Sequence, residues 1–353
     1  MKTKVFLNSI VIITILFSGI ILNAQTPEFT VLAKSGDVFF KTRSSKDWEK
    51  IKIKDKILDG YKIKINSGGY LSLIHKNGGS VELKPDKTSE YTVAQLSKNI
   101  ASNKTGLSKR FAQYIVNEIT SSDDILSSKD YRENMQEVGA VERAFEGKVN
   151  TQGRIENISK GDKTTSQALD AAGKVVLGSD NKFIVARMPR ASYIIDPNVE
   201  FTWYKSQEVK DYSFQITTSN DSVVYKKALN DTSFNLNFQN QKLNKDRCYY
   251  WSVSDANGDY KSEEFCIYWL SDKQSNLVKD TIKLIKSEVN QTNSPVEQIY
   301  LAAFFEDRNL MSMAEEAYRK AAQLAPNVKD YKLMYARYLR RIGLYEEANN
   351  IVK

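Results

Sequence analysis

Histidine occurs once in these 353 residues, at position 75, and cysteine twice, at 248 and 266. That scarcity excludes much chemistry. Triads built on imidazole need a histidine set against a nucleophile and an orienting acid. Zinc sites need histidine and cysteine in clusters. His75 stands just before Asn77-Gly78-Gly79, a turn pattern, and is expected to be a solvated turn residue. No glycine-rich phosphate loop opens a helix, so a nucleotide cradle is lacking too. Composition does allow carboxylate pairs, because 43 acids are present and glycoside hydrolysis needs only two. The runs Asp123-Asp124, Glu263-Glu264, Glu315-Glu316 and Glu346-Glu347 read as solvated faces, since adjacent residues on a helix do not face a common substrate. Nothing in the chain requires catalysis, and no cofactor or metal is expected.

Charge of one sign is also in short supply. The formal net charge is +8, falling to +6 if Lys2 and Lys4 are removed. Nucleic-acid binders gather basic residues into stripes with interleaved aromatics. Here lysines are scattered among acids, and Lys50-Ile-Lys-Ile-Lys-Asp-Lys56 alternates as a strand would. Nucleic acid is therefore not an expected partner. A mild, unspecific attraction to an anionic envelope surface remains.

Only the N-terminus holds a long apolar run. Lys2 and Lys4 precede Val5 to Leu22, broken only by Asn8, Ser9, Thr14, Ser18 and Gly19, and the run closes on Asn23-Ala24 before Gln25. A basic start, an apolar middle and a small residue before the cut describe a secretory signal peptide over 1–24. The competing reading is an uncleaved membrane anchor. Polar Asn23 and small Ala24 favour cleavage near Ala24, leaving an exported chain, periplasmic or attached to the envelope.

Export makes a disulfide permissible. Cys248 and Cys266 flank Asn257-Gly258, and a hairpin folded there brings them roughly opposite, at bridging distance. The alternative is two buried free thiols.

From 25 to 97 the pattern has period two, with glycine punctuation. Val31, Val38, Tyr61, Ile63, Ile65, Leu71, Leu73, Val81, Leu83, Tyr91 and Val93 mark short half-buried strands. Asp59-Gly60, Ser67-Gly68-Gly69 and Asn77-Gly78-Gly79 mark turns. Gly36-Asp37-Val38, Trp48, Lys56 to Ile63, Gly69 to Leu73 and Asn77 to Pro85 together resemble the FecR-like periplasmic domain. The resemblance implies an all-β extracytoplasmic module that contacts other proteins. FecR-type signal transducers carry a cytoplasmic segment before their membrane helix, whereas four residues precede the apolar run here.

A helical segment is expected over 98–146. Leu107, Phe111, Ile115 and Ile119 make one stripe and Tyr131, Met135, Val138, Val141 and Phe145 a second, both read as intramolecular core or a cover on the β-domain. Residues 147–184 read as a linker, aromatic-free as far as Lys182. Strands resume over 185–271: Val199 to Trp203, Tyr212 to Ile216, Ser222 to Tyr225, Ser233 to Leu236, Tyr249 to Val253 and Phe265 to Trp269. This stretch resembles a fibronectin type III or immunoglobulin-like sandwich, with Trp203 as core tryptophan. Leu243, Tyr249, Trp251 and Val253 match the tyrosine-corner segment. That likeness implies that the Tyr249 hydroxyl bonds back to the upstream chain.

From 272 to 353 the period becomes 3.6. Leu277, Ile282, Leu284, Ile285 and Val289 build a first helix. Ser294-Pro295-Val296-Glu297 is a helix start, with Ser294 as cap and Glu297 completing a capping box. Leu301, Ala302, Phe305, Asn309, Met311 and Ala314 recur 34 residues later as Tyr335, Ala336, Leu339, Gly343, Tyr345 and Ala348. The period means stacked helical hairpins. With Tyr318, Ala321 and Pro326, the segment resembles tetratricopeptide (TPR) repeats.

The expected fold is thus multidomain: an all-β FecR-like domain, a helical segment and linker, a fibronectin type III-like β-sandwich and C-terminal α-helical TPR-like repeats. All three resemblances imply interaction modules, so the expectation is an exported, non-enzymatic adaptor gripping envelope proteins. Tyr300, Arg308, Tyr338 and Arg341 are the expected contacts in the repeat groove, because Tyr and Arg most often carry interface energy. Two other readings stand beside it. One is a peptidoglycan- or glycan-associated protein with peripheral membrane or cell-wall association, even a weak hydrolase, motivated by Trp203, Trp251 and Trp269 as sugar-stacking rings. The other is an envelope signalling component of FecR type.

Overall fold

Eight short strands open the structure: β1 (Phe29–Ser35), β2 (Val38–Lys41), β3 (Glu49–Lys50), β4 (Lys56–Ile57), β5 (Lys62–Ile65), β6 (Tyr70–His75), β7 (Ser80–Leu83) and β8 (Ser89–Thr92). The computed structural model describes residues 28–98, 100, 106–120, 183–289 and 292–352. The signal-peptide segment, the stripe from Tyr131 to Phe145 and nearly all of the expected linker therefore lie outside the described residues. Antiparallel pairing arranges the eight strands into two sheets, β4-β1-β6-β7 and β3-β2-β5-β8. Phe29, Val31, Val38, Ile63, Ile65, Leu71 and Leu73 share one core, which α1 (Val93–Lys98) closes with Val93 and Leu96. The turns after β1 and before β6 need glycine. Gly36 has φ of 72°, and a Cβ there would come within 3.1 Å of the Gly69 Cα.

Half-burial does not describe these strands throughout. Every residue of β6 is buried, as are the first five of β1. Their second face lies under helices, because Leu32, Ala33, Tyr70 and Ile74 belong to the helical core. The β1–β6 register slips between Val31 and Ala33. The extra residue lets Val31 face the β core while Leu32 and Ala33 face the helices. His75 is buried with the rest of β6, correcting the expected solvated turn position.

The middle part is a two-sheet sandwich of β9 (Ala186–Met188), β10 (Ser192–Ile194), β11 (Asn198–Trp203), β12 (Tyr212–Thr217), β13 (Val223–Leu229), β14 (Ser233–Asn237), β15 (Arg247–Asp255) and β16 (Phe265–Trp269). The sheets run β10-β16-β15-β12-β13 and β14-β11-β9. β10 pairs parallel with β16, and the other ladders are antiparallel. Alternation is kept in two strands: Val199, Phe201 and Trp203 point inward from β11, and Tyr212, Phe214 and Ile216 from β12. Aromatic rings fill the space between, with Phe201 4.9 Å from Phe214 and 5.1 Å from Trp251. The Tyr249 hydroxyl accepts from the Asn244 amide at 2.8 Å, tying β15 back to the upstream loop. Cys248 and Cys266 are joined, with Cα atoms 5.7 Å apart. In the ladder they are diagonal neighbours, since Cys248 stands opposite Tyr268 and Cys266 opposite Tyr250.

Helices complete the fold: α2 (Gly106–Thr120), α3 (Asp272–Glu288), α4 (Pro295–Asp307), α5 (Met311–Leu324), α6 (Lys329–Arg341) and α7 (Tyr345–Val352). Ser271 and Gln274 form a capping box at α3. At α4 the Ser294 hydroxyl accepts from the Glu297 amide at 3.1 Å. The return bond of Glu297 goes one residue further out, to the Asn293 amide. The α4–α5 and α6–α7 connections each use a left-handed residue, Asn309 at 54° and Gly343 at 84°.

The expected fold class needs correction. The chain is mixed: four small sheets in its N-terminal and middle parts, and a helical C-terminal region that is not cleanly TPR-like. A repeat hairpin presents one apolar face to its neighbours. In α4 every residue from Pro295 to Glu306 is buried, so no face is left over. The reason is long-range packing. α2 lies on α4, with Phe111 5.9 Å edge-on to Phe304, and β1 and β6 press on the same helices. One core thus joins residues from strand β1 to helix α7, which no free-standing stack would have.

Candidate functional site

The four residues expected to line a partner groove sit inside this packing. Tyr300 and Tyr338 are both 0% exposed. The Tyr338 hydroxyl donates to the Met311 carbonyl at 2.6 Å, and its ring stacks on Tyr318 at 5.1 Å. Arg308 lies 3.3 Å from its neighbour Asp307, with both side chains largely covered. Arg341 donates to Glu306 at 2.7 and 3.0 Å and to Glu118 of α2 at 2.7 Å. Tyr318 adds a bond to Glu306 at 2.9 Å, and Arg337 reaches the Glu118 carbonyl at 3.0 Å. The groove assignment is therefore corrected: α2 occupies the side of the hairpins where a partner was expected.

Sequence reasoning missed the acids at this joint. Glu306 is 4% exposed and directly follows the apolar Phe304-Phe305. A charge at a position that the period marks as core was the available signal, because such charges persist only when paired.

A second joint links the first β part to the helices. The Tyr70 and Tyr331 hydroxyls are 2.8 Å apart, and Tyr70 donates to Glu82 of β7 at 2.8 Å. The same Glu82 oxygen caps α4 by accepting from the Val296 amide at 2.9 Å. Asp330 accepts from the Lys34 amide at 3.3 Å. Burial pushes the carboxyls of Glu82 and Asp330 above their ordinary values, against the pull of these hydrogen bonds.

A third joint links the sandwich to the helices. Arg187 of β9 donates to Glu315 of α5 at 2.5 Å and to Glu347 of α7 at 2.6 and 2.9 Å. Tyr204 reaches Glu347 at 2.5 Å and Tyr335 reaches Glu315 at 3.1 Å. Burial works against the Glu347 anion, but the bonds from Arg187 and Tyr204 outweigh it and hold the carboxyl below its ordinary value. Beside it, Ser192 accepts from the Met311 amide at 3.0 Å, and the Tyr193 amide donates to the Asn309 carbonyl at 2.8 Å.

The single histidine serves the first β part. Its Nε2 lies 2.8 Å from Glu28 and its Nδ1 accepts from the Asn77 amide at 3.2 Å, so a neutral ring carries its proton on Nε2. Burial raises Glu28, but Lys76 and His75 together bring its carboxyl below the ordinary range. The arrangement closes the β6–β7 turn onto the start of β1. Among the described residues no three metal-ligating side chains cluster, and no helix is long and apolar enough to cross a membrane. Trp203, Trp251 and Trp269 are core residues, so the sugar-stacking rings expected of them are not available. Trp48 is half-exposed.

No protein-family model matches the chain, and no curated protein matches it. Among solved structures it aligns with a beta-D-glucuronidase of Dictyoglomus thermophilum at 9% identity, over 93% of this chain and 72% of that one. The TM-score of 0.17 is too low for a shared fold, so this likeness carries no argument.

Proposed function

We propose that the chain is an exported, non-catalytic scaffold of the cell envelope, holding envelope proteins through its outer surfaces. The observation that supports this reading is where its buried charges are used. Arg187, Glu82, Glu315 and Glu347 bond across from one part of the fold to another, while Arg341 and Glu306 tie α2, α4 and α6 together. Charges spent in this way orient three parts against one another, which suits a frame for presenting surfaces. The FecR-like and fibronectin type III-like patterns add an expectation of extracytoplasmic binding modules. Contact falls outside the helical hairpins' filled side. Val223 and Val224 on β13, at 55% and 42% exposure, and Leu333 on α6 are large apolar groups left at the surface.

The test has two parts. N-terminal sequencing of the exported protein should give a chain starting at Gln25. A photocrosslinker at Val224 or Leu333 should yield discrete adducts with envelope proteins, while one at buried Tyr338 should yield none. A chain retaining Met1 in the cytosol, or steady turnover of a glycan by the purified protein, would overturn the reading. Glycan association without hydrolysis remains a second reading, and the half-exposed ring of Trp48 is the observation in its favour.

A further inference from the structure

The outer face of β3-β2-β5 gathers lysines around two aromatic rings. Val38, Ile63 and Ile65 point into the core, so by alternation Phe39, Lys41, Lys62 and Lys64 point away from it. Phe39 stands in register with Lys50 on one side and Lys64 on the other. The Lys41 and Lys64 ammoniums lie 5.9 and 5.6 Å from the centre of the Trp48 ring, and that of Lys50 lies 6.0 Å from Phe39. The rings thus act as posts that hold the lysine stems in place.

Two acids temper the face: Glu90, opposite Lys64 on β8, and Asp37, 3.5 Å from Lys50. No ion pair among the described residues involves Lys41 or Lys62. These two stand directly opposite one another on neighbouring strands. Like charges so placed repel, and the free fold loses stability by keeping them. A polyanion lying across the strands would relieve that repulsion.

We infer that this face docks a linear polysaccharide bearing carboxylates, its charges set against the ammoniums of Lys41, Lys50, Lys62 and Lys64. A lipid bilayer fits less well, because the rings lie beneath ammoniums and supply no second, apolar signal for stable attachment. Nucleic acid fits less well too, because bases stack on open ring faces and these are overlain by cations. Preferring a polysaccharide to nucleic acid also rests on the export reading.

Binding of the full chain to polygalacturonate, followed by affinity electrophoresis, tests this. Polyuridylate and neutral dextran serve as comparisons. Polygalacturonate should bind, more weakly as salt rises, and dextran should not. The double variant Lys41→Gln/Lys62→Gln should lose about tenfold in affinity, while melting no lower than the parent. A distant pair of equal charge, Lys273→Gln/Lys279→Gln on α3, should leave binding unchanged. Equal loss in the distant pair, undiminished binding by the double variant, or tighter binding to polyuridylate would each overturn the inference. Cytosolic retention would sink only the export reading, and the polygalacturonate result would stand apart from it.

Discussion

The two β parts are similar in size and differ in how they finish their cores. The sandwich has a core of its own: β11 and β12 alternate, and Phe201, Phe214 and Trp251 meet in the middle. The first β part does not close. Its β1 and β6 are buried on both faces, with aliphatic side chains on one and helices on the other. The sandwich meets the helices through polar bonds centred on Arg187 and through Tyr193, Ile195, Tyr204 and Tyr268, which are only partly buried against the helical core. The first β part shares an apolar core with the helices. An element with two apolar faces cannot be stable alone, so the first β part and the helices should behave as one cooperative unit, and the sandwich as another.

Replacing a core ring in each unit tests that division most severely. Phe304→Ala, at the centre of the helical core, should cost about 3–5 kcal/mol. Hydrogen exchange should then quicken in α4 and in β6 together. Phe214→Ala should cost about as much, yet expose β12 and β15 while α4 stays protected. Equal quickening everywhere in both variants would mean a single unit and break the comparison.

The joints should differ next. Arg341→Ala removes the fork between buried Glu306 and half-buried Glu118, and urea titration should show a loss of about 3 kcal/mol. Arg341→Lys should recover little, since one ammonium does not reproduce a fork between two carboxylates. Arg187→Ala, at the more solvated sandwich joint, should cost only about 1 kcal/mol.

The smallest effect concerns pH. Burial raises the Glu82 carboxyl above its ordinary value of 4.5, so the folded state holds that proton more tightly than the unfolded chain does. Its contribution to stability is fully present below 4.5 and is lost as pH rises through the raised value. Glu82→Gln keeps the acceptor oxygen for Tyr70 and Val296 and removes the titration. Urea midpoints measured across this window should fall less steeply for Glu82→Gln than for the parent. Identical slopes would place the coupling elsewhere, at Asp330 or Glu263, whose carboxyls burial also raises.

Part of this difference was visible in the residues. Tyr70-Leu-Ser-Leu-Ile-His75 is nearly continuous in apolar groups, the mark of a strand covered on both faces, whereas Val199-Glu-Phe-Thr-Trp203 alternates cleanly. The helix starts at Ser271 and Ser294 follow from capping chemistry, which acts over three or four residues and so stays local. The filled groove could not be foreseen that way. Residue types at Tyr300, Tyr338 and Arg341 suit an exposed contact and a buried one equally well, and Arg341 meets Glu118 of α2 from 223 residues away in the chain.

By itself the sequence determined what is short-range here: strand and helix periods, caps, glycine turns, the 34-residue recurrence and the scarcity of catalytic side chains. Those depend on a side chain and its near neighbours. Tertiary structure alone decided what covers the outer face of β6, that Tyr300 and Tyr338 are buried, and which glutamates Arg187 and Arg341 meet. Burial and charge pairing depend on which distant surfaces come together, and no local pattern encodes that choice.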